Sequence, residues 1–298
     1  MSYRIAVDTG GTFTDVVVAD ADGRLTVGKS LTTPERTYDG FSAALANAAD
    51  IIGVQVANLL AETEVLIYGT TRSTNSIVEN KTAKTALLVT EGFPDTLLYR
   101  QGGKREPLNL AMEFPPPYVP RRLTFEIAER INAEGGIETA LDEAAARATV
   151  EALPAMNIEA VAVSLLWSIV NPQHEVRIGA LINEIMPGIP YTLSHRIAPI
   201  LREYRRASAT AIDASLKPLM QAHLRGMQTD LRDIGFTGDL LVSTSVGGCQ
   251  EVESLVERPI NTLKSGPAMA PVAGRAYSAL ERMGGDVIVC DAGGTTFD

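Results

Sequence analysis

Apolar and polar positions alternate through residues 3–30 in short runs, YRIAVD, DVVVAD and LTVGKS, separated by the turn-rich pieces TGGTFT and ADG. Period-two alternation broken at glycine and aspartate predicts three consecutive antiparallel strands. The period then changes. Phe41, Leu45, Ala48 and Ile52 recur at spacings of three and four, which predicts a helix over 38–52. A strand at 64–69 (EVLIYG), a helix through TRSTNSIVEN and a strand at 84–90 follow. Strands that alternate with helices predict an α/β layer.

Residues 102–136 interrupt that rhythm with a PPP run and VPRR around the apolar piece LTFEIAERI, and are expected to form an insertion with short strands of its own. Beyond it the pattern predicts a helix over 141–153, a strand at 160–167, a helix after Asn171-Pro172 and a strand near Tyr191. Helices over 201–214 and 217–233, a strand at LLVSTS, a helix after SGPA and a closing strand DVIVCD at 286–291 complete the series. Pro172 and Pro267 read as residues of a first helical turn, where the missing N–H costs nothing.

A chain of 298 residues with 45% hydrophobic content can bury a substantial core. Its formal net charge of −10 works against nonspecific binding of nucleic acid or an anionic membrane, so small molecules and proteins are the expected partners. Two cysteines, Cys249 and Cys290, do not make a disulfide framework, and no apolar run approaches a membrane span. A cytoplasmic location is the expectation.

The chemistry concentrates at two glycine turns. When Ile5 is aligned with Ile288, Asp8 falls on Asp291, Gly10 and Gly11 on Gly293 and Gly294, Thr12 on Thr295 and Asp15 on Asp298, so six of eleven positions agree. In both copies an apolar strand ends in aspartate and enters Gly-Gly-Thr. Paired glycines let successive backbone N–H groups converge on an anion, with threonine hydroxyls beside them. An aspartate at the strand end suits a hydrated Mg²⁺ better than a phosphate, because like charges repel. Two such hairpins facing each other would clamp a polyphosphate. The segment GRLTVGKS at 23–30 fits the formal P-loop pattern, but Pro34 precedes any helix and LTV reads as strand, so Asp22-Gly23 is assigned to a hairpin turn and Lys29 to a strand.

Paired DxGGT hairpins with a three-strand start resemble the sugar-kinase, heat-shock-chaperone and actin superfamily, in which two ribonuclease-H-like lobes close on ATP. Within it the chain resembles the hydantoinase A, 5-oxoprolinase and acetone or acetophenone carboxylase family. The matching stretches are DTGGTFTDVVV at 8–18, YGTTRSTNSIVENKTAKTALLVTEGF at 68–93, LLWSIVNPQHE at 165–175, SHRIAPILREYRRASAT at 194–210, SGPAMAPVAG at 265–274 and DAGGTT at 291–296. The family form of the last motif is DMGGTSTD, from which Ala292, Thr296 and Phe297 depart.

That resemblance implies an α/β fold with a ribonuclease-H-like first lobe over 1–285 and the start of a second ATPase lobe at 286–298, the chain being a piece of a longer protein. It implies an ATP-dependent subunit, with Mg²⁺, that phosphorylates a carbonyl oxygen to drive hydrolysis of a cyclic amide beside a hydantoinase-B-type partner in a hetero-oligomer. A ketone carboxylase subunit and a non-catalytic, nucleotide-responsive scaffold remain as alternatives. The implied phosphate contacts are Gly10, Gly11, Thr12 and Thr14, mirrored by Gly293, Gly294, Thr295 and Thr296. Asp8 and Asp291 are the implied catalytic carboxylates, serving Mg²⁺ through water, and Asp15 is the weaker candidate.

In GTTRSTN, Thr70, Thr71, Arg72 and Asn75 sit at a strand-to-helix junction and are candidate substrate contacts, the competing reading being helix capping by Thr71 or Ser73. Arg202, Arg205 and Arg206 read as a solvated or subunit-facing basic patch. His174, His195 and His223 lack metal-site spacing, and Cys249 reads as a small packed residue.

Overall fold

A computed structural model of the chain describes residues 2–33, 36–101, 106 and 108–292. In chain order the elements begin with β1 (Tyr3–Thr9), β2 (Phe13–Ala19), β3 (Leu25–Leu31), α1 (Thr37–Ile52), α2 (Val56–Ala61), β4 (Thr63–Thr70) and α3 (Arg72–Val78). Next come β5 (Thr85–Thr90), α4 (Thr96–Tyr99), β6 (Thr124–Ile127), β7 (Arg130–Ile131), β8 (Ile137–Thr139), α5 (Glu143–Ala152), β9 (Ala160–Ser164), α6 (Gln173–Ile185) and β10 (Tyr191–Leu193). The described chain finishes with α7 (Ser194–Ile197), α8 (Glu203–Asp233), β11 (Asp239–Ser243), β12 (Cys249–Glu251), α9 (Val252–Glu257) and α10 (Ser265–Glu281). The fold is mixed α/β, organised as two compact units: residues 1–81 with 220–298, and residues 82–219.

The first unit holds a six-stranded sheet in the order β12-β11-β4-β1-β2-β3. β1, β2 and β3 form the antiparallel meander that the alternation predicts, while β4 and β11 run parallel to β1 on its other side. Tyr3, Ile5, Val7 and Thr9 on β1 are buried, as are Thr14, Val16 and Val18 on β2, which sets one face of the sheet into the core. Helix α1 covers β2 and β3 through Phe41, Ala44, Leu45 and Ala48. The approach is so close that a Cβ on Gly28 would overlap the Ala44 carbonyl. At its far end Gly53, with φ of 81°, turns left-handed and donates its N–H to Ala49 O, closing the helix.

The second unit is built on a parallel sheet in the order β10-β9-β5-β6. Every residue of β5 and β9 is buried, as expected of parallel strands covered on both faces. Its core also carries a dense polar network. Glu129 accepts from the Thr90 hydroxyl and lies 2.7 Å from His174 Nδ1. Glu175, fully buried, accepts from the Leu165 N–H, the Ser194 hydroxyl and the His195 N–H, and its Oε2 lies 2.6 Å from His195 Nδ1.

Three expectations are corrected. The helices expected over 201–214 and 217–233 are one helix of 31 residues that passes through Pro218. A mid-helix proline costs about 3 kcal/mol. Burial of Leu216, Met220, Leu224, Met227 and Leu231 on its apolar face outweighs that. The run at 286–291 forms no strand: its backbone has no ladder partner among the described residues, and Ile288 is exposed. A run of apolar residues makes a strand only where a neighbour takes up its backbone hydrogen bonds. The strand expected at 160–167 stops at Ser164, and Trp167 has a left-handed φ of 55°.

The arginine cluster is corrected too. Arg206 is only 1% exposed, not solvated. Its Nε donates to Ser194 Oγ, Nη1 to Ile200 O and Nη2 to Leu165 O. Arg206, Thr210, Asp213 and Lys217 are all buried and recur at helical spacing, so α8 presents a polar stripe to the interior of this unit.

Candidate functional site

The turn between β1 and β2 is a locked loop. Gly10 N–H donates to Phe13 O at 3.0 Å, Thr32 Oγ1 donates to Gly10 O at 2.9 Å, and Thr32 N–H donates to Thr12 O at 2.9 Å. Neither glycine has a positive φ. A Cβ at Gly10 would crowd the Phe13 carbonyl at 3.3 Å, whereas one at Gly11 would make only an ordinary contact of 3.8 Å with Asn75 Nδ2.

Next to this turn lies a cavity of about 570 Å³ within the first unit. Asp8, Gly10, Gly11, Thr12, Asp15 and Lys29 line it from the meander. Thr70, Thr71, Thr74 and Asn75 come from the end of β4 and the start of α3, Lys264 to Pro267 from the start of α10, and Asp291 with Ala292 from the last described residues. The parallel pairing of β1 with β4 brings the two strand ends together, with Asp8 opposite Gly69 and Thr9 opposite Thr70.

Asp8, near the end of β1, and Asp291 thus line one cavity. The Asp8 carboxyl is pushed above the usual carboxylate range by partial burial first, then by the charges of Asp15 and Asp291, with Lys29 pulling the other way. Lys29 is itself engaged by Asp15, directly opposite on β2, at 2.7 Å. Lys29 stands on β3 and Gly23, with φ of 79°, makes the preceding turn, so the P-loop pattern is a hairpin here.

Two predicted contacts do not reach the cavity wall. Thr14 is fully buried on the core face of β2, its hydroxyl 3.0 Å from that of Thr32, so it braces the turn from behind. Alternation with Val16 and Val18 was the signal that placed it there, and the same alternation turns Asp15 outward. Arg72 is half-buried, and its charge acts on Tyr68 and His223 behind the sheet end. Thr71 stands at the N-cap of α3 without a capping bond; it accepts from Asn75 Nδ2 at 3.2 Å, and Thr70 Oγ1 accepts from the Arg72 N–H. Gly293, Gly294, Thr295 and Thr296 lie outside the described residues.

Sequence reasoning missed Lys264 and Ser265 as cavity residues, although SGP at a helix start carried the signal. The Thr262 hydroxyl donates to Ser73 Oγ at 2.9 Å and the Lys264 N–H to Thr74 Oγ1 at 3.2 Å, which fasten the start of α10 to α3. No His, Cys, Asp or Glu trio converges in metal-binding geometry among the described residues.

Three carboxylates, two lysines and a glycine turn make the wall of this cavity predominantly charged and polar. Comparison with known proteins identifies its class. The description "Hydantoinase/oxoprolinase N-terminal region" matches residues 4–186 and "Hydantoinase/oxoprolinase" matches 206–298, so the chain belongs to the hydantoinase/oxoprolinase family. It is 35% identical to the caprolactamase subunit alpha of Pseudomonas jessenii, over 99% of this chain and 43% of that protein. It is 32% identical to the acetophenone carboxylase gamma subunit of Aromatoleum aromaticum, over 99% of this chain and 41% of that one. The crystal structure of the ATP-dependent caprolactamase from Pseudomonas jessenii matches with a TM-score of 0.88 at 34% identity, covering 99% of this chain and 43% of that one. The chain therefore spans about two fifths of the length of these relatives.

Proposed function

We propose that this chain is the first, ribonuclease-H-like lobe of an actin-like ATPase subunit, with residues 286–298 beginning the second lobe, and that the whole protein phosphorylates the carbonyl oxygen of a cyclic amide to drive its hydrolysis. The observation that carries the reading is that Asp8, the Gly10–Thr12 turn and Asp291 line one cavity. Similarity to an ATP-dependent caprolactamase supports the amide as substrate class.

An amide is a poor electrophile because nitrogen donates into its carbonyl. When its oxygen attacks the γ-phosphorus of ATP, the bond to the ADP oxygen breaks and a phosphorylated imidate forms. Water then adds at its carbon, the C–N bond opens to release the amine and leave an acyl phosphate, and a second water displaces phosphate to give the amino acid. The work of the chain in this step is positioning and charge neutralisation. Backbone N–H groups around Gly11 and the Thr12 hydroxyl hold phosphate oxygens. The crowding of Asp8 by Asp15 and Asp291 is negative charge that a divalent cation relieves, so these residues fit Mg²⁺. Asp8 and Asp291 would hold the ion through water, a carboxylate-and-water environment of the kind Mg²⁺ favours. Bound there, Mg²⁺ would neutralise the triphosphate. Thr70, Thr71 and Asn75 are the candidate contacts to the amide.

The partner is proposed to be a hydantoinase-B-type subunit in a cytoplasmic hetero-oligomer; no helix among the described residues is long and apolar enough to cross a membrane. The test is ATP hydrolysis by the full-length protein with its partner, against cyclic amides and, with bicarbonate, aryl ketones. Stimulation by cyclic amides is the expected result. Stimulation by ketones alone would replace the hydrolase with the carboxylase that the similarity to acetophenone carboxylase also suggests, and stimulation by neither would leave a nucleotide-binding scaffold.

A further inference from the structure

The start of α10 is unfinished as a piece of protein. No side chain caps the helix, which runs for 17 residues. Its first N–H groups therefore present partial positive charge to whatever lies before them. Ser265, its first residue, is 2% exposed, and its hydroxyl has no hydrogen-bond partner. A buried hydroxyl left without a partner is a cost that folding alone does not repay. The preceding residue, Lys264, is held left-handed at φ 53° and ψ 32°, a conformation disfavoured for any residue with a side chain. Among the described residues no carboxylate lies within ion-pair distance of its ammonium. Both residues line the cavity that also holds Asp8 and the Gly10–Thr12 turn.

From this geometry we infer that Lys264, Ser265 and the α10 N-terminus form a second anion subsite, which takes the terminal phosphoryl group of the nucleoside triphosphate while the Gly10–Thr12 turn holds the inner phosphates. The inference rests on the ATP reading above and assigns a separate part of the same cavity. An unpaired hydroxyl, an unpaired ammonium and free helix N–H groups are all donors, which suits a group whose oxygens only accept. The ties from Ser73 to Thr262 and from Thr74 to Lys264 fix these donors relative to the end of β4. A phosphoryl group held there lies beside Thr70 and Thr71, the candidate amide contacts.

The test compares ADP with the non-hydrolysable β,γ-imido analogue of ATP by calorimetry, in the full-length protein with its partner subunit. Ser265→Ala is expected to weaken the analogue about tenfold and ADP less than about twofold. Its melting temperature should stay equal or rise, because the hydroxyl removed has nothing to lose; a purely structural role predicts the opposite pair of results. Lys264→Met should show the same preference for weakening the analogue, and Lys264→Arg should restore it. Equal loss for both nucleotides, or no loss for either, overturns the subsite. So does an unchanged analogue affinity with a raised KM for the amide, which would hand these donors to the acyl substrate. Failure of the unmodified protein to bind either nucleotide would remove the ATP reading itself, a result distinct from all of these.

Discussion

His223 on α8 provides a quantitative test of how the sheet end behind the cavity is held. Its Nε2 lies 3.0 Å from the hydroxyl of Tyr68, the β4 residue two positions before Thr70. Burial first, then the nearby Arg72 charge, bring its pKa from 6.5 down to about 4. Burial raises that of Tyr68, so both groups are neutral near pH 7 and share one hydrogen bond. In the unfolded chain the imidazole takes up a proton below about 6.5, whereas in the folded chain it does so only near 4. The unfolded state therefore binds more protons throughout that window, and stability falls as the pH is lowered through it. At about 1.4 kcal/mol per pKa unit, the full penalty is at most about 3.5 kcal/mol, and about 2.5 kcal/mol of it is in place by pH 4.5. His223→Gln keeps a polar partner for Tyr68 and cannot titrate. Urea unfolding of both proteins between pH 7.5 and 4.5 should show the difference in their unfolding free energies shifting by about that amount in favour of the variant. Parallel pH profiles, agreeing within about 0.5 kcal/mol, would mean that the imidazole is not kept neutral by burial.

Other expectations follow from single contacts. Gly28→Ala should cost about 3 kcal/mol or more in thermal unfolding, because its methyl group meets the α1 backbone at Ala44. Gly23→Asn, in an open left-handed turn, should cost under about 1 kcal/mol. Arg206→Leu should lose about 3–5 kcal/mol by removing the donors to Ser194 Oγ and two carbonyls and the positive charge near buried Glu175, and exposed Arg205→Ala should stay within about 0.5 kcal/mol; equal effects would return the cluster to the surface. Gly11→Ala leaves the fold room, so its melting temperature should hold while nucleotide affinity falls at least about tenfold. Unchanged affinity would take the β1–β2 turn out of the proposed site.

Local order along the chain was enough to place the meander, helix α1 and the β4–α3 junction, because alternation, helical periodicity and glycine turns are properties of neighbouring residues. The same period-two rule, applied strictly, also assigns Thr14 to the core and Asp15 to the open face. Other features had no local signature. Ser265 is far in sequence from Asp8, and only the parallel pairing of β1 with β4, together with the bonds from α3 to the α10 start, places it at the same cavity. Arg206 resembled a surface charge because its partners, Leu165, Ser194 and Ile200, come from separate segments whose meeting no spacing encodes. Pro218 is tolerated inside α8 for the same reason: propensity is settled residue by residue, but burial is settled by the whole fold.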